Sequence, residues 1–281
     1  MRRAAIVLVL AASCGGARPP DFTILTFNVL CSFCDTANYD PWEARLEAFR
    51  DILKRHDPDI FGLQELFTAE EVRQIGQRAP GYGAVYFSDP ERRLLVDYPD
   101  AALYYRESLF ELRESGVYWL SETPDVPWSG GWANAQIWRL VAWARLRYRP
   151  DGRELYAATV HVDNNHPNQE KSAPLMLGRT AAFAATIPAI LVGDFNSKPG
   201  STAYAALAAG LTDAYEAAEK RDVLHDEAQA PAYDAAQRID HIFLSGPRPI
   251  RVTRWSVDLF RYGAQRRYPS DHFAISARIS L

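Results

Sequence analysis

Apolar residues along the chain alternate with polar ones in some stretches and recur at helical spacing in others. "DFTILTFNVL" (21–30) is rich in β-branched and aromatic residues and reads as a strand. Next, Trp42, Leu46, Phe49 and Leu53 recur at helical spacing and would cover a sheet. Asp40 as N-cap, Pro41 at the first helical position and Glu43 in a capping box predict where this helix begins. Pro58 predicts that it has ended. "DIFGLQEL" is then a short buried strand ending on Gln64 and Glu65, and Thr68 with Glu71 opens a second capped helix. From 82 to 162 the texture is β, with "AALYYRESLF", "ESGVYWLSE", "WRLVAWARLRY" and "ELYAATVHV" all read as strands. In the third of these, Trp138, Leu140, Ala142, Ala144 and Leu146 share one face, and Arg139, Trp143, Arg145 and Arg147 the other. Helices are expected over 169–186 and 201–209, and "RIDHIFL", "IRVTRWSVD" and "HFAISARIS" finish the chain as strands. Two β-rich halves, each with helices to cover one face, predict stacked sheets flanked by helices. Periodicity does not give the strand order.

Composition changes this picture little. With 281 residues, 48% hydrophobic and 23% charged, the chain can bury a sizeable core. A formal charge of −4 gives no overall basic footprint for a long polyanion, so a nucleic-acid substrate would need a local patch. The N-terminus stands apart. "MRRAAIVLVLAASCGG" sets two arginines before an apolar run and small residues, the layout of an export signal too short to span a bilayer. We expect residues 1–13 to be a signal peptide of the lipoprotein type, with Cys14 lipidated and 14–20 a tether. Leu10 sits one place too early for the usual lipoprotein box, so ordinary cleavage without lipid is the alternative. Removing residues 1–13 takes the formal charge from −4 to −6. Cys31 and Cys34 then remain as an even pair in an oxidising compartment. "LCSFCD" is read as a local staple, with a redox motif or two free thiols as alternatives.

Polar residues interrupt apolar strands at particular places. They are Asn28 in "LTFNVL", Glu65 in "GLQEL", His161 and Asp163 in "TVHVDN", Asp194 and Asn196 in "VGDFN", Asp240 in "RIDHIF", and Asp271 with His272 in "YPSDHF". Each falls near a strand terminus, where loops gather distant residues into one site. Asp194 and Asn196, two apart in an extended segment, would aim an anionic and a neutral oxygen the same way. Each residue also has an ordinary structural explanation, as a turn former, a cap or a partner of a neighbouring arginine. Six such places in one chain exceed what those explanations cover.

The order and wording of these segments resemble the endonuclease/exonuclease/phosphatase superfamily, which includes DNase I-like nucleases, neutral sphingomyelinases and inositol-polyphosphate 5-phosphatases. The resemblance covers 21–281 and implies a single domain of α/β class, a four-layer α-β-β-α sandwich of two stacked mixed sheets with its site at one edge. "YWLSETPDVPWSGGW" also looks like a segment of uncharacterised bacterial members. Carried over by position, the resemblance makes Glu65 the main metal ligand, with Asn28 and Asp271 close to the metal. Carboxylate and amide oxygens suit Mg²⁺ or Mn²⁺ rather than zinc. Asp194 and Asn196 would position the attacking water and a phosphate oxygen. His272 would take the proton or hold the transition-state charge, oriented by Asp240. His161 matches the histidine of the DNase I-like and phosphatase branches, and Arg139 a basic residue near the phosphate. His241 would point to the opposite strand face, and His166 lies in a variable loop; neither is given a role.

These readings converge on a Mg²⁺- or Mn²⁺-dependent hydrolase of phosphoesters, monomeric and exported to the cell envelope. A nuclease-like phosphodiesterase is the leading expectation, and a phospholipid or sphingomyelin phosphodiesterase or an inositol-type phosphatase the alternative. An inactive binding module on the same fold is the reading least favoured, because the metal ligands and the final histidine are all present. The export reading makes its own prediction. Protein recovered from a membrane fraction should begin at Cys14 and carry lipid there, which mass spectrometry reads directly; a retained Met1 would contradict it.

Overall fold

The computed structural model describes residues 20–89 and 98–281; the expected signal peptide, Cys14 and the tether up to residue 19 lie outside them. The chain runs through β1 (Asp21–Asn28), α1 (Trp42–His56), β2 (Ile60–Leu66), α2 (Ala69–Arg78), β3 (Tyr82–Tyr86), β4 (Asp100–Arg106) and β5 (Phe110–Trp119). It continues with β6 (Leu140–Tyr148), β7 (Glu154–His161), α3 (Asn168–Ala184), β8 (Ala189–Asp194), α4 (Thr202–Gly210), β9 (Thr212–Asp213) and α5 (Ala214–Ala217). The last elements are β10 (Arg221–Leu224), β11 (Asp240–Ser245), β12 (Arg251–Asp258) and β13 (Ala274–Ser280).

Two mixed sheets result, ordered β10-β12-β13-β1-β2-β4-β3 and β5-β6-β7-β8-β11-β9. They stack face to face around a core that includes Ile24, Ile60, Leu146, Leu155, Val192 and Ile275. Helices α1 and α2 cover the outer face of the first sheet through Phe27, Leu46, Phe49, Val72 and Ile75. Helices α3 and α4 cover the second through Met176, Leu191 and Leu207. This is the expected four-layer α-β-β-α sandwich. The sheets approach closely at Gly62, where a Cβ would lie 2.3 Å from Thr159 Oγ1 and 2.7 Å from Val192 Cγ2. Gln64 bridges them just above, donating to Thr26 Oγ1 at 3.1 Å and Thr159 Oγ1 at 2.9 Å.

Strand direction explains where the polar interruptions go. β1 and β2 run parallel, as do β7 and β8, while β4, β6, β11 and β13 run against these neighbours. The C-terminal ends of the first four and the N-terminal ends of the second four therefore share one edge of the sandwich. Asn28, Glu65, His161 and Asp194 sit at the former, and Asp100, Arg139, Asp240 and His272 at or just before the latter.

Several local expectations need correction. "AALYYRESLF" is not one strand. It breaks after Arg106 in a turn closed by Leu109 N–H to the Arg106 carbonyl, and the chain crosses there from the first sheet to the second. Asp40 does not cap α1, whose N-cap is Pro41 with no side-chain bond. The Asp40 carboxylate instead accepts from the Tyr262 hydroxyl at 2.6 Å and pairs with Arg267. Thr68 and Glu71 do form the expected capping box. The buried face of α1 also carries a charge that helical spacing hides. Arg45 is only 1% exposed, among Trp42, Leu46 and Phe49. Its guanidinium donates to the carbonyls of Val29, Cys31, Asp40 and Pro269, joining the loop after β1 to the segment before β13.

Replacing Arg45 takes the guanidinium donor from the Val29, Asp40 and Pro269 carbonyls, while the Cys31 carbonyl keeps the Cys34 N–H, so Arg45→Met should cost on the order of 3 kcal/mol. Urea unfolding monitored by circular dichroism checks this; a change within experimental error would show that the bonds contribute nothing net.

Candidate active site

Asp194 is the centre of the cluster. It ends β8, is 1% exposed, and is delivered by a glycine that no other residue can replace without strain. Gly193 has φ 150°, and a Cβ there would sit 2.0 Å from the Val160 carbonyl oxygen. Asp194 Oδ2 lies 3.6 Å from His161 Nε2 and 3.7 Å from His272 Nε2, and accepts from Asn28 Nδ2 at 3.2 Å. Burial raises the Asp194 pKa and the Asp240 carboxylate raises it further, against a smaller opposing pull from the two histidines.

Glu65 stands on the other side of Asn28. A bulge in β2 gives it φ 67°, turning its carboxylate toward Asn28 Nδ2 (2.9 Å) and the Cys31 amide (2.9 Å). Asn28 thus bridges two carboxylates, and its own amide oxygen accepts from Leu30 N–H at 3.0 Å. Cys31 and Cys34 form a disulfide, closing the loop whose backbone holds Glu65.

The donor chemistry fits a divalent cation. Glu65, Asp194 and Asp240 bring three carboxylates to this edge, and Asp240 Oδ1 is buried without a hydrogen-bond partner. Ligand atoms of Asp194, Asp240 and His272 lie within 4.8 Å of one another. The sulfurs near Glu65 are tied up in the disulfide, which leaves oxygen donors.

The third group is built on Asp100, 2% exposed at the start of β4. Its Oδ1 lies 2.9 Å from Arg139 Nη1 and 3.0 Å from His161 Nδ1. Burial would raise the Asp100 pKa, but Arg139 and His161 outweigh it and hold the carboxyl below its usual range. Burial likewise works against the Arg139 cation and is outweighed, chiefly by Asp100, so its pKa is raised. Asp100 thereby holds Arg139 and His161 side by side at the edge. Asp100 and Arg45 escaped the sequence reading. A usable signal existed for Asp100, a carboxylate opening the apolar run "DAALYY" after Pro99, the same signature that marked Glu65 and Asp240.

His272 completes the centre. Its Nδ1 lies 2.9 Å from Asp240 Oδ2, and Ser270 Oγ accepts from its backbone N–H at 3.2 Å while donating to the Asn28 carbonyl at 2.7 Å. Burial would lower the imidazole pKa, but Asp240, with Asp194 and Asp271, overcomes this and pushes it up to about 10.

The remaining candidates are placed differently. Asn196 follows the end of β8 with φ 49°, so the extended alternation expected from Asp194 does not reach it. Its N–H donates to Asp194 Oδ1 at 2.8 Å and its side-chain amide to the Val162 carbonyl at 2.8 Å. Asp271 is exposed beside His272, its carboxylate meeting only the Ser270 hydroxyl (3.3 Å) among the described hydrogen bonds. Asp163 closes a turn through Asn165 and Asn168. His241 faces the other way, buried between the Ser197 carbonyl (2.9 Å) and Asp213 (3.4 Å), and His166 is an exposed partner of Glu170. Arg238 pairs with Asp213 and Glu216, leaving Asp240 to His272.

Two stacked mixed sheets thus carry clustered carboxylates, two histidines and a partly buried arginine, Arg139, at their common edge. The chain belongs to the endonuclease/exonuclease/phosphatase family, whose model matches residues 25–272. An endonuclease/exonuclease/phosphatase family protein from Bacteroides thetaiotaomicron is 30% identical, with a TM-score of 0.80 over 93% of this chain and 98% of that one. A mannosyl-6-phosphatase from the same organism is 29% identical, with a TM-score of 0.78 over 92% of this chain and all of that one. Nocturnin from Drosophila melanogaster is 24% identical over 85% of this chain, which spans 42% of its length.

The His272 shift has a consequence for stability. A folded-state pKa of about 10 lies above the ordinary 6.5, so the stabilisation is complete below about pH 6.5 and is lost as pH climbs through about 10. In chelator-treated protein, the stability margin of wild type over His272→Gln should shrink across that window. A margin that grows with pH in denaturant titrations would contradict the assignment.

Proposed function

We propose that this chain is an exported, divalent-metal-dependent phosphatase acting on a compact phosphate ester, with sugar phosphates as the first class to test. The observation that carries the chemistry is Asp194, set within 4 Å of both His161 and His272 and joined to Glu65 through Asn28. Glu65 would hold Mg²⁺ or Mn²⁺, with Asp271 and Asn28 nearby. The cation would polarise a phosphoryl oxygen and offset charge on the leaving oxygen. Asp194, its basicity raised by burial and Asp240, takes the proton from the attacking water. His272 remains an imidazolium at neutral pH, held by Asp240 at Nδ1, and presents Nε2–H to the charge that develops on phosphorus oxygens. Arg139 and His161 bind a non-bridging oxygen, and Asn196 fixes the Asp194 carboxylate through its backbone amide.

Substrate size is argued from where the cations lie. A polynucleotide needs several phosphates neutralised along the cleft. Arg145 pairs with Glu154, Arg147 with Glu111, Arg266 with Glu227 and Arg267 with Asp40. None of the four lines the hollows on either side of the centre, where Arg139 and the ion-paired Arg238 are the arginines among the described lining residues. That distribution favours a single phosphate over the nuclease-like substrate expected from the motifs. The similarity to a mannosyl-6-phosphatase supports the same choice. The Cys31–Cys34 disulfide supports export, since such bonds persist in oxidising compartments.

Purified protein should release phosphate from mannose 6-phosphate only with Mg²⁺ or Mn²⁺ and stop with EDTA. Asp194→Asn should lower kcat by about 10²–10⁴-fold. Plasmid DNA and sphingomyelin, assayed alongside, should be cleaved slowly or not at all. Rapid plasmid cleavage with a steep salt dependence would return the reading to a nuclease, and full activity in Asp194→Asn would remove its role as base.

A further inference from the structure

Phe33 is out of place for a large apolar side chain. It is 59% exposed, whereas the rings of Phe22, Phe27, Phe49 and Phe61 are buried. Its ring meets Phe67 edge-to-face at 4.7 Å, and Phe67 meets Tyr98 in the same manner at 5.5 Å. These rings line a hollow of about 220 Å³ together with Glu65, Arg139 and His161. Phe33 lies between the two cysteines of the disulfide, so closure restrains the loop backbone, and the edge-to-face contact with Phe67 restrains the ring beside Glu65. A ring held in place before binding loses little freedom when a ligand covers it.

Resting on the phosphatase reading, we infer that Phe33 is the specificity-determining residue of a subsite that receives the pyranose ring of a sugar phosphate. With the phosphoryl group at Glu65, Arg139 and His161, the ester oxygen directs the alcohol portion of the substrate toward the aromatic wall. A pyranose presents an apolar C–H face to such a wall and keeps its hydroxyls toward water. A nucleobase would also stack on an aromatic ring. In a polynucleotide, however, the next phosphate would need a second cation, and Arg139 is the one arginine or lysine among the described residues lining this hollow.

The test separates the subsite from the chemistry by using ligands that are not turned over. Calorimetric titration of the protein with the 6-phosphonate analogue of mannose and with methylphosphonate reads ring binding apart from phosphonate binding. Phe33→Ala should weaken the sugar phosphonate about tenfold, the loss expected when about 50 Å² of apolar contact is removed. Methylphosphonate should bind unchanged, and Phe33→Tyr should restore the sugar phosphonate. In turnover, Phe33→Ala should raise KM for mannose 6-phosphate about tenfold and leave glycerol 2-phosphate unaffected. Equal effects on ring and acyclic ligands, or none, would overturn the subsite, as would a larger loss on thymidine 5′-monophosphate than on mannose 6-phosphate. Phosphonate binding that follows the prediction in a protein without phosphatase activity would refute the phosphatase reading and leave the ring site standing.

Discussion

The arrangement of this edge depends on one buried cation. Among the described residues Arg45 has no carboxylate paired with it; its guanidinium bonds four backbone carbonyls, from the loop after β1, the approach to α1 and the turn before β13. Burial lowers its pKa, and nearby Tyr262, Asp271, Glu65 and Glu71 counter that, so the charge serves the wider acidic region too. The loop it grips carries the Cys31 amide that holds Glu65, and the turn it grips ends in Ser270 and His272. Packing alone would not fix such loops, because irregular backbone cannot satisfy its own polar groups.

Next to these loops, carboxylates alternate with nitrogen-bearing side chains. Asp100 takes Arg139 and His161, Asp194 faces His161 and His272, and Asp240 takes His272. Each histidine therefore lies between two carboxylates, with the shared one, Asp194, in the middle. The two outer carboxylates fix Nδ1 of each imidazole and turn Nε2 toward Asp194. The layout shifts Asp194 and His272 in the same direction for different reasons: burial and Asp240 raise the carboxyl, and, against burial, Asp240 with Asp194 raises the imidazole.

Much of this was legible in the order of residues, and what was not has physical causes. Strands, the two covering helix pairs and the polar stops at strand ends follow from alternation and helical spacing. Strand order does not, since pairing between β1 and β13 joins segments about as far apart as the chain permits. Arg45 was hidden because a charged residue within an amphipathic helix reads as solvent-facing. Asp40 was misread because the Asp-Pro signature of a cap also suits a carboxylate with better partners across the turn, Tyr262 and Arg267. Asn196 was misread through an assumption of extended backbone, which fails at a residue with φ 49°. The cations of Arg145 and Arg147 could be counted but not located until their acidic partners were seen.

The pairing of the first and last strands has a bearing on biosynthesis. β1 lies beside β13, and Asn28 is linked through Ser270 to the segment carrying His272. A growing chain on the ribosome can display Glu65, His161 and Asp194 long before Asp240, His272 and the strand that pairs with β1 exist. Only when Ala274–Ser280 have emerged can β13 dock against β1 and bring His272 to Asp194. Assembly of the edge therefore waits on β13, and a chain that stops before it lacks the strand that seats the His272 segment even when most of the sandwich has been made.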